Sequence, residues 1–163
     1  MPATSPDRFQ LRPAAAPDLP GILDCLQRAF EPVRSEYTAE AYLHTVLDAE
    51  LARERLGSMH VLVAVTVEPP PVVGTLSWTR TSPESAHLRG MAVRPEFQGS
   101  GVAQRLLDRA LSEAREAGVR RVTLRTTAPL ARAIRFYERN GFRPSGTVAD
   151  FHGMRVTERV REL

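Results

Sequence analysis

The chain has 163 residues, 42% of them hydrophobic, which suits one globular domain with a real core. Its formal charge is only +3, from 22 basic residues, all arginine, against 19 acids, and the arginines are spread along the chain instead of forming the basic block of a nucleic-acid surface. No run of about 18 apolar residues marks a membrane span, the start Met1–Asp7 lacks an apolar signal core, and the single Cys25 excludes an internal disulfide; a cytoplasmic protein is expected, with no nucleic-acid or membrane partner.

Residues 1–8 read as a disordered N-terminus and 9–163 as one domain. Phe9–Arg12 alternates as a short strand. Asp18 is placed to cap a helix from Leu19 to about Phe30, with Ile22, Leu23, Leu26 and Phe30 at helical spacing. Cys25 falls in that apolar pattern and reads as buried filler. Thr38 caps a second helix, Ala39 to Arg55, which Gly57 ends. His60–Val67 and Val72–Thr79 are β-rich runs joined by Glu68-Pro69-Pro70-Pro71, a stiff hairpin tip that cannot continue a ladder. Ala86–Val93 is the next strand and leads into a helix over 101–117, whose apolar stripe is Leu106, Leu107, Ala110, Leu111 and Ala114. Gly118 is a candidate C′ residue. A strand over Arg121–Thr126, a helix over Pro129–Asn140 closed by Gly141, and strands over Phe142–Thr147 and Met154–Val160 complete the chain. The order β-α-α-β-β-β-α-β-α-β-β predicts a single-domain α/β fold, with a mixed sheet of six to seven strands and about four helices.

The stretch Met91-Ala92-Val93-Arg94-Pro95-Glu96-Phe97-Gln98-Gly99-Ser100-Gly101-Val102-Ala103 carries an apolar strand into a glycine-bearing turn that opens directly into a helix. The first N–H groups of a helix have no internal partner, and with the helix dipole behind them they suit a phosphate or pyrophosphate. An ordinary glycine turn has the same local composition. A Walker A loop is excluded because the chain has no lysine. A dinucleotide fingerprint fails because Gln104 stands where the third glycine belongs. No Gly-x-Ser-x-Gly elbow exists, and one cysteine with scattered His44, His60, His87 and His152 gives no metal-ligand spacing, so no metal is expected.

The pattern Gln98-x-x-Gly101-x-Ala103 after a strand ending Met-Ala-Val resembles the GNAT superfamily of N-acetyltransferases. A second landmark of that family is matched by Ala133-Ile134-Arg135-Phe136-Tyr137, closed by Gly141-Phe142. The resemblance covers about residues 9–160 and implies a GNAT fold with splayed central strands. It implies acetyl-CoA as co-substrate and a primary amine of a small molecule or peptide as acceptor, with the amine attacking directly. The pyrophosphate would lie on Gln98, Gly99, Ser100, Gly101, Val102, Ala103 and Gln104, and the pantetheine on the backbone of Met91, Ala92 and Val93. Tyr137 would be the general acid that protonates the departing thiolate; on its own it reads equally as a core aromatic with a wet tip.

His87 is the candidate general base, since an imidazole suits removal of a proton from an amine near neutrality; His60 and His152 are weaker candidates, and His44 reads as surface. Even spacing puts His87 and Met91 on one strand face, unless a bulge intervenes. The family often has asparagine seven residues before the tyrosine; Leu130 stands there, which removes a polar contact to the cofactor unless Thr126 or Thr127 replaces it. Acceptor recognition is expected from Phe30, Glu31, Arg34, Glu36, Tyr37 and Trp78, with Glu31 or Glu36 attracting a cationic amine. The resemblance also implies pairing of closing strands in a homodimer. A non-catalytic acyl-CoA-binding sensor is the alternative reading of the same loop.

Overall fold

The computed structural model describes residues 8–68 and 71–163. The elements are β1 (Gln10–Pro13), α1 (Leu19–Phe30), α2 (Ala39–Val46), α3 (Ala49–Ser58), β2 (His60–Val65), β3 (Val72–Ser82), β4 (Ser85–Val93), α4 (Val102–Glu116), β5 (Arg121–Thr126), α5 (Ala131–Arg139), β6 (Arg143–Phe151) and β7 (Met154–Glu162). The seven strands form one sheet in the order β1-β2-β3-β4-β5-β7-β6. Every neighbouring pair is antiparallel except β4 and β5, which the crossover through α4 makes parallel. The expected disorder of residues 1–8 and the Pro69–Pro70 part of the stiff tip lie outside the described residues, apart from an exposed Arg8. No helix among the described residues is long and apolar enough to cross a membrane.

The central strands are apolar on both faces because both faces are covered. On β2, Leu62 and Ala64 join a cluster with Leu106, Leu107, Ala110 and Leu111 of α4, while Val61 and Val63 join a second cluster with Ile22, Cys25 and Leu26 of α1 and Ala52 of α3. The α4 stripe expected from the sequence is buried throughout. Gly118 takes φ +86° and lets its own N–H return to the Arg115 carbonyl, ending α4 as expected.

Three expectations need correction. The second predicted helix, 39–55, is two helices: Leu47 leaves the helical region at φ 65°, and the Asp48 side chain accepts from the Leu51 N–H to cap a new helix. Gly57 does not end that helix but lies in its last turn. Asp18 precedes α1 without capping it by its side chain; its carboxylate instead accepts from Arg12 at 2.7 and 2.8 Å and from the Ala15 N–H at 2.8 Å. This pairing lowers the Asp18 pKa from its ordinary range, chiefly through the Arg12 hydrogen bonds.

Where α4 crosses β3 the spacing is set by Gly74. A Cβ there would meet Val102 Cγ1 at 2.5 Å and Leu106 Cδ1 at 3.0 Å. Because α4 carries the glycine turn at its start, this contact also sets how closely that turn approaches the sheet. Gly74→Ala is expected to destabilise the fold by about 1–3 kcal/mol through overpacking, seen as a lower urea midpoint; an unchanged midpoint would show that α4 shifts away at no cost.

Candidate functional site

The site is a gap in the sheet. β4 and β5 pair only at Ser85–Arg121, Ala86–Val122 and His87–Thr123, although β4 runs on to Val93 and β5 to Thr126. A bulge in β4 marks the parting: opposite β3, Thr75 pairs with Ala92 but Ser77 pairs with Arg89, so Gly90 and Met91 form an extra step. Gly90 adopts φ +71° there, and a Cβ on it would run into the Arg55 guanidinium. The bulge reverses the strand's faces. Before it, Ala86 and Leu88 point to the α4 cluster; after it, Ala92 lies in the α1 cluster while Met91 and Val93 pack on the α4 side. His87 and Met91 therefore do not share a face, and the even-spacing expectation is corrected. Beyond His87 the β5-facing backbone edge of β4 has no strand partner.

A cleft of about 1070 Å³ passes through this gap and reaches the start of α4. Gly99 and Gly101 take φ 80° and 91°, conformations that favour glycine. Gly101 occupies the cap position without a side-chain hydrogen bond, and Arg105 N–H to the Gly101 carbonyl, 3.0 Å, is the first turn's backbone bond. The amides of Val102, Ala103 and Gln104 precede it and lie at the positive end of a 15-residue helix. Ser100 donates its hydroxyl to the Phe97 carbonyl, which braces the turn from within.

Side chains tie this turn to its surroundings. Gln98 Nε2 donates to the Val93 carbonyl at 3.4 Å, and Gln98 Oε1 accepts from Arg132 at 3.0 Å. Gln104 and Asn140 exchange amide hydrogen bonds of 2.9 and 3.2 Å, joining α4 to the end of α5. Arg132 and Asn140 were not singled out in the sequence; their signal is weak, because they are polar helix residues whose role depends on the α4–α5 approach. Arg94, just after β4, is 3% exposed, donates through Nε to the Val72 carbonyl at 2.6 Å, and pairs with Asp24 of α1 at 2.6 Å.

Tyr137 lines the cleft from α5 and packs edge-on against Phe142. Burial alone raises its pKa, so the phenol holds its proton firmly. Leu130 caps α5 with no side-chain hydrogen bond and also lines the cleft. Of its two candidate substitutes, Thr126 bonds the Thr157 hydroxyl at 3.2 Å and Thr127 lies 3.5 Å from the Tyr37 hydroxyl. His87 lines the cleft from β4, its Nδ1 2.8 Å from Thr123 Oγ1. Burial first, then the charges of Arg125 and Arg89, push its pKa down to about 4. Cys25 is fully buried, and burial pushes its thiol up to about 12, which fits filler and not a nucleophile.

The acceptor-side expectations divide. Phe30 and Tyr37 line the cleft; Glu31, Arg34, Glu36 and Trp78 do not. Trp78 is 3% exposed, donates to Glu113 at 3.0 Å and stacks on His60 at 4.2 Å, so it is core and His60 is remote from the site. The carboxylate in the cleft is Glu158 of β7, which accepts from Ser145 at 2.8 Å. His44 and His152, far apart in sequence, stack at 4.0 Å, and Glu40 meets His152 at 3.2 Å; this cluster holds the β6–β7 turn against α2 at the cleft's rim.

Residues 19–142 match the Acetyltransferase (GNAT) family. The chain is similar to the mycothiol acetyltransferase of Propionibacterium freudenreichii subsp. shermanii, 33% identical over 103 residues, or 59% of this chain and 33% of that protein. It is also similar to the uncharacterized N-acetyltransferase YjgM of Escherichia coli, 38% identical over 69 residues, or 42% of this chain and 41% of that protein. The matches thus span well under half the length of these relatives. Among solved structures, PaiA N-acetyltransferase from Thermoplasma acidophilum in complex with coenzyme A superposes with a TM-score of 0.76 at 16% identity, covering 92% of this chain and 97% of that one. A GNAT family acetyltransferase from Elizabethkingia anophelis with acetyl-CoA bound gives 0.66 at 18% identity, covering 96% and 99%. At these identities the likeness shows a shared fold.

The half-buried, neutral His87 makes folding pH-dependent. Its folded pKa, about 4, lies below the ordinary value of 6.5, so between those two values the unfolded chain binds the extra proton and stability falls as pH drops. His87→Asn is expected to lose less Tm than the wild type between pH 6.5 and 4; parallel losses would show that the imidazole is not held neutral.

Proposed function

The chain belongs to the GNAT acetyltransferase family, and from that premise we propose that it transfers an acetyl group from acetyl-CoA to the primary amine of a small molecule or peptide. The observation that carries this reading is the unpaired edge of β4 running directly into an open helix N-terminus. The backbone amides of Gly99 and Gly101–Gln104 suit the pyrophosphate, while the Ser100 N–H donates to the Phe97 carbonyl at 3.2 Å and holds the turn's shape. The free edge at Met91, Ala92 and Val93 suits the pantetheine amides, which would add to β4 as an extra strand. Leu130 offers the arm an apolar contact in place of an amide. Acetyl-CoA, when bound, supplies the activated acetyl carbon.

In the proposed chemistry the amine lone pair attacks the acetyl carbon and forms the C–N bond. The carbonyl oxygen gains negative charge, and backbone N–H groups beside the β4 bulge would donate hydrogen bonds to it. Collapse breaks the C–S bond, and the thiolate takes the proton of Tyr137, which burial has kept on the phenol until that moment. The proton lost by nitrogen goes to His87. Thr123 Oγ1 donates to the Ala86 carbonyl at 3.5 Å and accepts from His87 Nδ1, which leaves Nε2 with the free lone pair. With a pKa of about 4, His87 is too weak a base to strip a proton from an ammonium, so the acceptor must enter as free amine, and kcat/KM should rise with pH without a His87 limb near 6.5. The low basicity of His87 favours Glu158 as a second reading for this proton. The outer edge of β6, at the end of the sheet and carrying half-exposed Val148, is the proposed pairing edge of a homodimer.

CoA thiol release across a panel of amines tests the activity. Tyr137→Phe is expected to lower kcat by about 10²-fold or more while acetyl-CoA binding persists; undiminished turnover would remove Tyr137 from the mechanism, and binding without turnover of any amine by the wild type would favour an acyl-CoA sensor. His87→Ala is expected to lower kcat more than Glu158→Gln, and the reverse order would transfer the base to Glu158.

A further inference from the structure

The acceptor half of the cleft has an unusual charge. His87 and Thr123 face each other at the last paired step of β4 and β5. Two residues further along each strand stand Arg89 and Arg125, which therefore leave the sheet on the same face as that pair, where the strands part. Arg55 of α3 approaches from beside Gly90, and all three arginines line the cleft. They lie near one another: burial first, then the charge of Arg89, pushes Arg55 down to about 10, and burial first, then the charge of Arg125, lowers Arg89.

None of the three has a carboxylate within ion-pair distance among the described residues, whereas Arg12 and Arg94 meet Asp18 and Asp24 at 2.7 and 2.6 Å. The Phe151 ring lies 5.8 Å from the Arg89 guanidinium carbon. Among the described residues the one acid lining the cleft is Glu158, which sits opposite Arg125 in the β5–β7 register but bonds Ser145. Arg55 is half-buried while Arg89 and Arg125 are open to the cleft, and neighbouring cations with no ion-paired carboxylate repel one another, a cost that a bound anion would relieve.

We infer that the acceptor amine carries an anionic group, a carboxylate or a phosphate, which Arg55, Arg89 and Arg125 bind while Glu158 faces the amine end. This rests on the transferase reading and narrows it. A diamine or other polycation meets repulsion at the same place, so the site selects against it as well as for an anion.

The test is CoA release with each protein amino acid against its own carboxamide, with phosphoethanolamine and 1,4-diaminobutane as further acceptors. Amino acids or phosphoethanolamine are expected to exceed the neutral and dicationic amines by about tenfold or more in kcat/KM, and whichever is preferred identifies the anion as carboxylate or phosphate. Arg89→Gln and Arg125→Gln are each expected to raise KM for the anionic acceptor about tenfold, with kcat changed less and KM for acetyl-CoA unmoved. Equal or better use of carboxamides or the diamine overturns the inference, as does an equal effect of the variants on every acceptor. If acetyl-CoA binds but no amine is acetylated, the transferase reading fails. The anion site is then judged by calorimetry of N-acetyl amino acids against N-acetyl amino acid amides: a preference for the acids that Arg89→Gln abolishes keeps the site, and no preference removes it.

Discussion

The whole arrangement depends on the early parting of β4 from β5. A sheet gains by continuing its ladder, and here the ladder stops after His87–Thr123 with several residues of each strand still to run. The cause is local. Gly90 adopts a left-handed conformation and gives β4 an extra step, which rotates the following residues to the opposite face. Arg55 occupies the space where a side chain at position 90 would be, so the bulge and the arginine-lined part of the cleft are built by the same contact. The backbone groups released by the parting remain available to a ligand that can hydrogen-bond as a strand does.

Two clamps keep the gap in register with the helix that follows. Arg94 is buried between the Val72 carbonyl and Asp24, and so joins β3, α1 and the exit of β4. Gln98 and Gln104 reach from the glycine turn to Val93, Arg132 and Asn140. The positive end of α4 is thus fixed relative to the free edge of β4. Electrostatics then divide the cleft. Helix-end amides lie at one end, the protonated Tyr137 phenol on the α4 side of the sheet, and neutral His87 among guanidinium groups on the other side. The sheet itself separates Tyr137 from His87, and the gap is where both face one cavity.

Much of this was legible in the sequence because it is local. The apolar periods of α1 and α4, the Met-Ala-Val strand and the glycine turn each follow from neighbours a few residues apart, and the strand count and mixed sheet follow from their order. The break at Leu47 was missed because the apolar pattern runs through it, although Asp48 before Ala49-Glu50 is a usable capping signal. Trp78 was misplaced because an aromatic near a strand end reads the same whether it faces a cleft or a core. The arginine cluster was invisible for a different reason: Arg55, Arg89 and Arg125 lie on three elements and meet only through the β4–β5 register and the position of α3. Glu158, Arg132 and Asn140 escaped notice on the same ground, and so did the meeting of His44 with His152.

The central claim is that the free edge of β4 and the amides at the start of α4 form one continuous binding surface for acetyl-CoA. Amide hydrogen exchange with and without acetyl-CoA tests it most directly. The account predicts added protection at Met91–Val93 and at Gly99–Gln104 together, with β1 and β2 unaffected. Protection confined elsewhere, or none at either segment under conditions where acetyl-CoA binds, would contradict it.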